Sequence, residues 1–148
     1  MAQSLDGRRK AKSPYQRYRK TPYRYSPLFK EWLAAVLDNN VTLVAAAANN
    51  TSSVATLTTG YGGQLSIKIT NGATGSTVAA QAQIQTSPDG TNYYSFGGAL
   101  VAALGNAVVS SWSISIPVGI QYLRVVSGSN TGQNVVIRAE ISAVTAIS

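Results

Sequence analysis

Arginine, lysine and tyrosine are interleaved near the start of the chain, and this is the pattern that best supports a binding chemistry. Nine of the twelve basic residues and four of the eight tyrosines lie in the first thirty positions. On nucleic acid, the cations would neutralise phosphates while the rings stack on nucleobases. On protein, the rings would be buried as anchors beside acidic groups. The predicted partner-binding residues are Arg8, Arg9, Lys10, Lys12, Tyr15, Arg17, Tyr18, Arg19, Lys20, Tyr23, Arg24 and Tyr25.

Charge is segregated along the chain. Residues 1–30 carry nine basic residues against Asp6, a balance of +8, whereas residues 31–148 carry three basic and four acidic residues, a balance of −1. A cationic segment on a near-neutral body concentrates long-range attraction in one place, and the body can pack against neighbours at little electrostatic cost. This layout favours a protein that docks onto a larger assembly.

Groups that perform catalysis are scarce. The chain has neither histidine nor cysteine, which removes the commonest general base and thiolate chemistry. The acids Asp38, Asp89 and Glu140 lie about fifty residues apart, and a single acid in the Ser87-Pro88-Asp89-Gly90 turn is too few for a calcium site. We therefore predict no enzymatic activity, no metal and no cofactor.

Membrane and secretory signals are also weak. The N-terminus lacks the apolar core of a secretory signal, and the longest apolar run, from Val41 to Ala48, is too short to span a bilayer. We expect no membrane partner.

The chain divides into three predicted parts. Residues 1–26 contain Pro14, Pro22 and few aliphatic residues, so they cannot bury enough apolar surface to fold alone, and we predict an extended arm. Residues 27–38 are predicted as a short amphipathic helix that begins at a Ser26 cap and Pro27. Residues 39–148 form the third part, a β-domain.

The predicted helix has one apolar face, because its apolar residues recur at spacings of three and four. We expect this face either to cover the core of its own β-domain or to insert into a neighbouring subunit. The docking face consists of Phe29, Trp32, Leu33 and Val36.

After residue 40 the apolar period changes to two, which is typical of strands with one buried and one solvated face. The predicted strands are Val41–Ala46, Val54–Thr58, Gln64–Thr70, Ala80–Thr86, Tyr93–Phe96, Ser111–Ile116, Gln121–Ser127 and Asn134–Ile141. Turn signals such as Asn71-Gly72 separate them. This spacing predicts an all-β, antiparallel two-sheet sandwich of jelly-roll or Ig-like type. The outward strand positions are mostly Ser, Thr, Gln and Asn, which suits a subunit of a lattice.

Part of the sequence resembles the small β-sandwich virion proteins of tailed bacteriophages. The segments that carry this resemblance are the strand–SPDGTNYY–strand pattern of residues 83–94 and the strands Gln121–Val126 and Val135–Ile141. The nearest type is the capsid decoration, or cement, protein. The resemblance covers roughly residues 41–148, and it implies a sandwich that sits on the outer shell with an extended arm that clasps neighbouring capsomers.

The resulting expectation is a non-enzymatic virion structural protein that stabilises a shell through its arm and through subunit packing. Its partners would be the major capsid protein, other virion subunits and further copies of itself, assembled in the host cytoplasm. Three alternatives stay open: a neck, tail or head-fibre component; a nucleic-acid-binding capsid protein whose arm faces the genome; and a carbohydrate-binding module that uses exposed tyrosines, with Tyr61, Tyr93 and Tyr94 as candidates.

Overall fold

The structure, a computed structural model, describes residues 30–57 and 61–147, with side chains described for residues 34–57 and 61–144. The regular elements in this part of the chain are all strands. Their bounds are β1 Lys30–Leu43, β2 Asn50–Thr51, β3 Ala55–Thr56, β4 Gly63–Asn71, β5 Gln81–Ser87, β6 Tyr94–Ser95, β7 Leu100–Val101, β8 Val109–Ile116, β9 Tyr122–Gly128 and β10 Val135–Ile147.

The strands form two antiparallel sheets. One sheet has four strands in the order β1-β10-β4-β8. In the other, β9 and β5 pair at the centre, with the short strands β2 and β3 along the free side of β9 and β6 and β7 along the free side of β5. The predicted antiparallel two-sheet sandwich is therefore confirmed.

The core lies between the two sheets and is built from alternate residues of the long strands. Strand β4 shows the pattern most clearly, because Leu65, Ile67 and Ile69 are buried while the residues between them are exposed or half-buried. The opposite sheet contributes Ala82, Ile84, Leu123 and Val125, and β10 contributes Val135, Ile137, Ala139 and Ile141. Period two in the sequence thus translates directly into one buried face per strand.

The helix predicted over 27–38 is not found. Residues 30–38 belong to β1, which pairs with β10, and residues 27–29 lie outside the described residues. Register shifts interrupt β1 between Glu31 and Trp32, between Val36 and Asp38, and between Asp38 and Val41. Each bulge breaks the period of two, so the apolar residues of a bulged strand can fall at the three- and four-residue spacings of a helix.

The remaining strand predictions are confirmed in position, and differ mainly at their ends. The predicted strand Val41–Ala46 is the end of β1, which stops at Leu43 before a turn in which Ala46 has a φ of 56°. The segments predicted around residues 55 and 95 are strands of only two residues, β3 and β6.

Candidate docking surfaces

The predicted docking residues are mostly beyond the described part of the chain. The twelve predicted arm residues and Phe29 lie outside it, as do the side chains of Trp32 and Leu33. Val36 lies on β1, where its side chain is 48% exposed while the adjacent Leu37 is buried. The structure therefore places one of the predicted helix-face residues at the surface, and it leaves the arm as a prediction.

The Ser87-Pro88-Asp89-Gly90 turn uses its carboxylate internally. Asp89 Oδ1 accepts hydrogen bonds from the backbone N–H groups of Thr91 and Asn92, each at 2.8 Å, and from the Ser87 hydroxyl at 2.8 Å. Asp89 Oδ2 accepts a bond from the Asn92 amide at 2.8 Å. These bonds, the backbone bond from Asn92 first, hold the pKa of Asp89 below its usual range. The carboxylate builds the turn.

Gly90 completes this turn with a φ of +73°, in the left-handed region that favours glycine. A Cβ at this position would lie 3.4 Å from the Tyr122 ring. The turn therefore packs against β9.

Arg124 is stacked on an aromatic ring. Its guanidinium carbon lies 3.8 Å from the centre of the Tyr93 ring, and its Nε donates to Gln85 Oε1 at 2.9 Å. Gln85 and Arg124 are direct partners in the pairing of β5 with β9. Because cation–π contact and the hydrogen bond both involve this one guanidinium, its charge is largely engaged within the sandwich.

The tyrosines considered for carbohydrate binding are not gathered into one site. Tyr93 is half-buried under Arg124, whereas Tyr94 is 63% exposed beside Gly119. Tyr61 is exposed and lines a separate depression with Pro117. Tyr61 and Tyr94 thus lie in different depressions, on either side of the turn between β8 and β9.

On the outer face of the four-stranded sheet, two charges neutralise each other. Arg138 and Glu140 stand two residues apart on β10, so their side chains leave the same face, and they form an ion pair. Arg138 also donates to Asn39 Oδ1 at 2.9 Å. Spacing alone would have revealed this pair, because residues at i and i+2 of a strand share a face.

Asp38 is a buried acid at the β1 bulge. It is 3% exposed; Oδ1 accepts a bond from the Asn50 amide at 3.0 Å, and Oδ2 has no hydrogen-bond partner among the described residues. Burial raises the pKa of Asp38, and the bond from Asn50 opposes that effect. Sequence reasoning placed Asp38 at a helix end and missed its burial, which follows from the bulge that turns both Leu37 and Asp38 inward.

Lys68 differs from the other charged side chains of the sandwich. Among the side chains that the structure describes, it is the one charged group without a hydrogen bond or an ion pair. The sandwich therefore presents little unpartnered charge, although it contains both acids and bases.

The outer face of the four-stranded sheet is a polar, shallowly concave surface. Two adjoining depressions of about 420 and 290 Å³ cross its strands and share Ser66 and Glu140. The residues that line them include the small side chains of Ser111, Ser113 and Ala34 and the longer side chain of Lys68. The serines and Gln64 of this face agree with the uncharged polar positions predicted from the strand pattern, but Lys68, Arg138 and Glu140 also lie on it.

No group of three or more potential metal ligands occurs among residues 30–57 and 61–147. Within the same residues, no helix is long and apolar enough to cross a membrane.

No protein-family model and no curated protein sequence matches the chain. The solved structures to which the chain is similar include the following three. The K3 cleaved adhesin domain of Lys-gingipain from Porphyromonas gingivalis W83 is 12% identical, with a TM-score of 0.47 over 76% of this chain and 73% of that one. A chain in the structure of infectious bursal disease virus, Gx strain, is 10% identical, with a TM-score of 0.48 over 76% of this chain and 31% of that one. The K1 cleaved adhesin domain of the same gingipain is 10% identical, with a TM-score of 0.41 over 76% of this chain and 98% of that one. Likenesses at this level assign neither a family nor a function to this chain.

Proposed function

We propose that the protein is a non-enzymatic structural subunit of a virion, of the capsid decoration type. In this role the arm of residues 1–26 docks onto neighbouring subunits, and the sandwich, whose net charge is close to zero, packs against the shell. The observation that carries the proposal is the contrast in charge: the first thirty residues hold a balance of +8, whereas the charged side chains that the structure describes in the sandwich, Lys68 apart, are engaged in local contacts. The resemblance of the SPDGTNYY strand pattern to tailed-phage virion proteins supports the same function.

The surface chemistry of the sandwich supports a packing role. Burying a charged side chain against a neighbour costs free energy unless a partner is provided, whereas serine, threonine and amide groups can exchange water for hydrogen bonds across an interface. The outer face of the four-stranded sheet offers several such groups beside Lys68 and the Arg138–Glu140 pair, namely Gln64, Ser66, Ser111, Ser113 and Ser142. Close packing of many copies therefore creates little electrostatic repulsion.

The direct test is co-sedimentation of the purified chain with shells assembled from the major capsid protein of the same genome. We expect saturable binding, and imaging should show copies at many symmetry-related positions on the shell. Density at a single vertex would indicate the alternative of a neck, tail or head-fibre component. Failure to bind shells, together with absence of the protein from purified particles, would contradict a virion role.

The nucleic-acid alternative rests on the same basic, tyrosine-rich segment, so it needs a separate assay. Mobility shift with duplex and single-stranded DNA at two salt concentrations would reveal phosphate contacts, because affinity for duplex falls by about 0.9 log units per contact for each log unit of salt. We expect shell binding to survive salt concentrations that abolish DNA binding. The reverse order would favour an arm that faces the genome.

A further inference from the structure

The two edge strands of the four-stranded sheet, β1 and β8, differ in how accessible they are for pairing with a further strand. The β1 edge is interrupted by bulges around Asp38, and the 52–54 loop covers part of it. In that loop, the Ser53 hydroxyl donates to the Leu37 carbonyl at 2.9 Å, and the Ser53 N–H donates to the same oxygen at 3.3 Å. Bulges, an inward-pointing charge and a covering loop are the devices that prevent a sheet edge from pairing with another chain.

Among the described residues, the β8 edge has neither a bulge nor an inward-pointing charge, and the loop contact to it is a hydrogen bond from the Ala103 N–H to the Ser110 hydroxyl at 2.8 Å, near the start of the strand. Its eight residues, Val109–Ile116, pair with β4 in one continuous register without a bulge, and the strand contains no charged residue and no proline. Every second residue of an antiparallel edge strand directs its N–H and C=O away from its neighbour. Among the described residues, the only backbone hydrogen bonds of β8 are those of its pairing with β4. The edge is therefore open for a further strand.

We propose that β8 pairs antiparallel with β8 of a second copy of this chain, about a two-fold axis at Ser113. The strand is self-complementary in this register. Ser111 falls opposite Ser115 of the other copy on the outer face, and Trp112 falls opposite Ile114 on the core face. Serine then meets serine, and an aromatic ring meets a β-branched side chain, which is a favourable cross-strand pair.

The core-facing residues of β8 have surface left to bury. Trp112 and Ile114 pack against the core but are only half-buried, because β8 is the last strand of this sheet in the described part of the chain. The two-fold register also brings Val118, which is 73% exposed, towards Val108 and Val109 of the other copy. The pairing thus covers apolar surface at the centre and at both ends of the edge.

A second copy fits this edge better than the basic arm does. Lys68 and Arg138 are direct partners in the pairing of β4 with β10, and both line the depression next to β8. Glu140 neutralises Arg138, but Lys68 has no partner among the described residues and repels a segment with a balance of +8. The strand β8 of a second copy contains no charged residue, and closed two-fold pairing is the commonest way in which identical chains associate.

The pairing joins two four-stranded sheets into one continuous sheet of eight strands across two subunits. It goes beyond the proposed function and does not depend on it, because it concerns the edge of the sandwich and not the arm. If the protein is a shell component, this dimer is its building block.

Sedimentation equilibrium of the full chain measures this association, with Ser113→Lys as the test variant. Ser113 is exposed, so lysine is tolerated in the single copy, but the two-fold axis sets the two ammonium groups directly opposite each other. The matched control is Thr42→Lys, at an exposed position on β1 at the protected edge. We expect a concentration-dependent dimer whose Kd rises about tenfold or more in Ser113→Lys and is unchanged in Thr42→Lys. A monomer at every concentration, or a dimer indifferent to Ser113→Lys, overturns the proposal.

Because the chain has no cysteine, single thiols test the register independently of any loss of stability. In Ser113→Cys the two thiols face each other, and mild oxidation should give a disulfide-linked dimer. In Ser111→Cys each thiol faces Ser115, and its symmetry mate is about 13 Å away along the strand. We expect Ser113→Cys to cross-link at least about tenfold faster than Ser111→Cys. Equal rates, or faster cross-linking of Ser111→Cys, contradict the proposed axis.

Discussion

The first thirty residues and the sandwich use charge in opposite ways. The N-terminal segment concentrates a balance of +8 among tyrosines and has almost no aliphatic residues. In the sandwich, Asp89 is held by its own turn, Arg124 is stacked on Tyr93, and Arg138 pairs with Glu140. The N-terminal segment thus concentrates positive charge and has few residues that could form a core. The sandwich has a core, and its described charged side chains are mostly partnered. We propose that this difference separates two roles, docking by the N-terminal segment and packing by the sandwich.

The largest expected effect is the loss of stability when a core residue of the sandwich is truncated. Ile137 is fully buried at the centre of the four-stranded sheet, so Ile137→Ala should lower the free energy of unfolding by about 2–5 kcal/mol. Val136→Ala, on the half-buried outer face of the same strand, is the control and should cost clearly less. Chemical denaturation measures both. Similar losses in the two variants would mean that the core does not lie between the sheets.

The second effect concerns what anchors the arm. Replacement of Tyr15, Tyr18, Tyr23 and Tyr25 by alanine should weaken shell binding by about 10- to 100-fold, because buried rings commonly anchor interfaces. Replacement of Arg17, Arg19, Lys20 and Arg24 by alanine should weaken it less and should mainly slow association. Binding kinetics at two salt concentrations distinguish the two sets. The reverse order with a steep salt dependence would show that charge, not ring burial, holds the arm.

A smaller effect is expected at the buried acid of β1. Since burial raises the pKa of Asp38, the folded state binds a proton more tightly than the unfolded state does, and stability falls as pH rises through the folded-state pKa. Asp38→Asn keeps an acceptor for Asn50 and removes this ionisation. We expect its melting temperature to exceed that of the wild type by an amount that grows from pH 4 to pH 7. A pH-independent difference would show that ionisation of Asp38 is not involved.

The smallest effect is expected at the exposed turn. The hydrogen bonds to Asp89 lower its pKa, so its contribution to stability is complete above the ordinary aspartate pKa and is lost as pH falls through the lowered value. Asp89→Ala should therefore lower the melting temperature slightly at pH 7. The difference from the wild type should shrink in strong acid. A difference that widens in acid would contradict this explanation of the turn.

The sequence pattern predicts the long strands well, because alternation over six or more residues has a single structural meaning. Strands β4, β5 and β9 were predicted to within one or two residues of their ends. The two-residue strands β2 and β7 were not predicted, since their existence depends on a neighbouring strand and not on local periodicity. The bulges of β1 place its apolar residues at helical spacings, so the sequence pattern predicted a helix there. The bulges are recognised from the pairing of β1 with β10, which the sequence pattern does not contain.

The candidate surfaces were less predictable than the fold. The partnership of Gln85 with Arg124 requires the order of the strands, which no local pattern contains. The open edge at β8 likewise depends on which strand is last in the sheet. The polar outer faces were predicted, because outward positions can be read from the period of two alone.

The most direct test of the division of labour compares the full chain with a variant that lacks residues 1–26. The core residues that the structure describes lie between Leu37 and Ala143, so we expect the shortened chain to keep its β-sheet circular dichroism and nearly the same melting temperature. Its incorporation into particles should fall by about tenfold or more, because the attraction that steers docking is gone. If the shortened chain instead aggregates or loses its sheet signal, or if it enters particles as well as the full chain does, the arm does not perform the docking proposed for it.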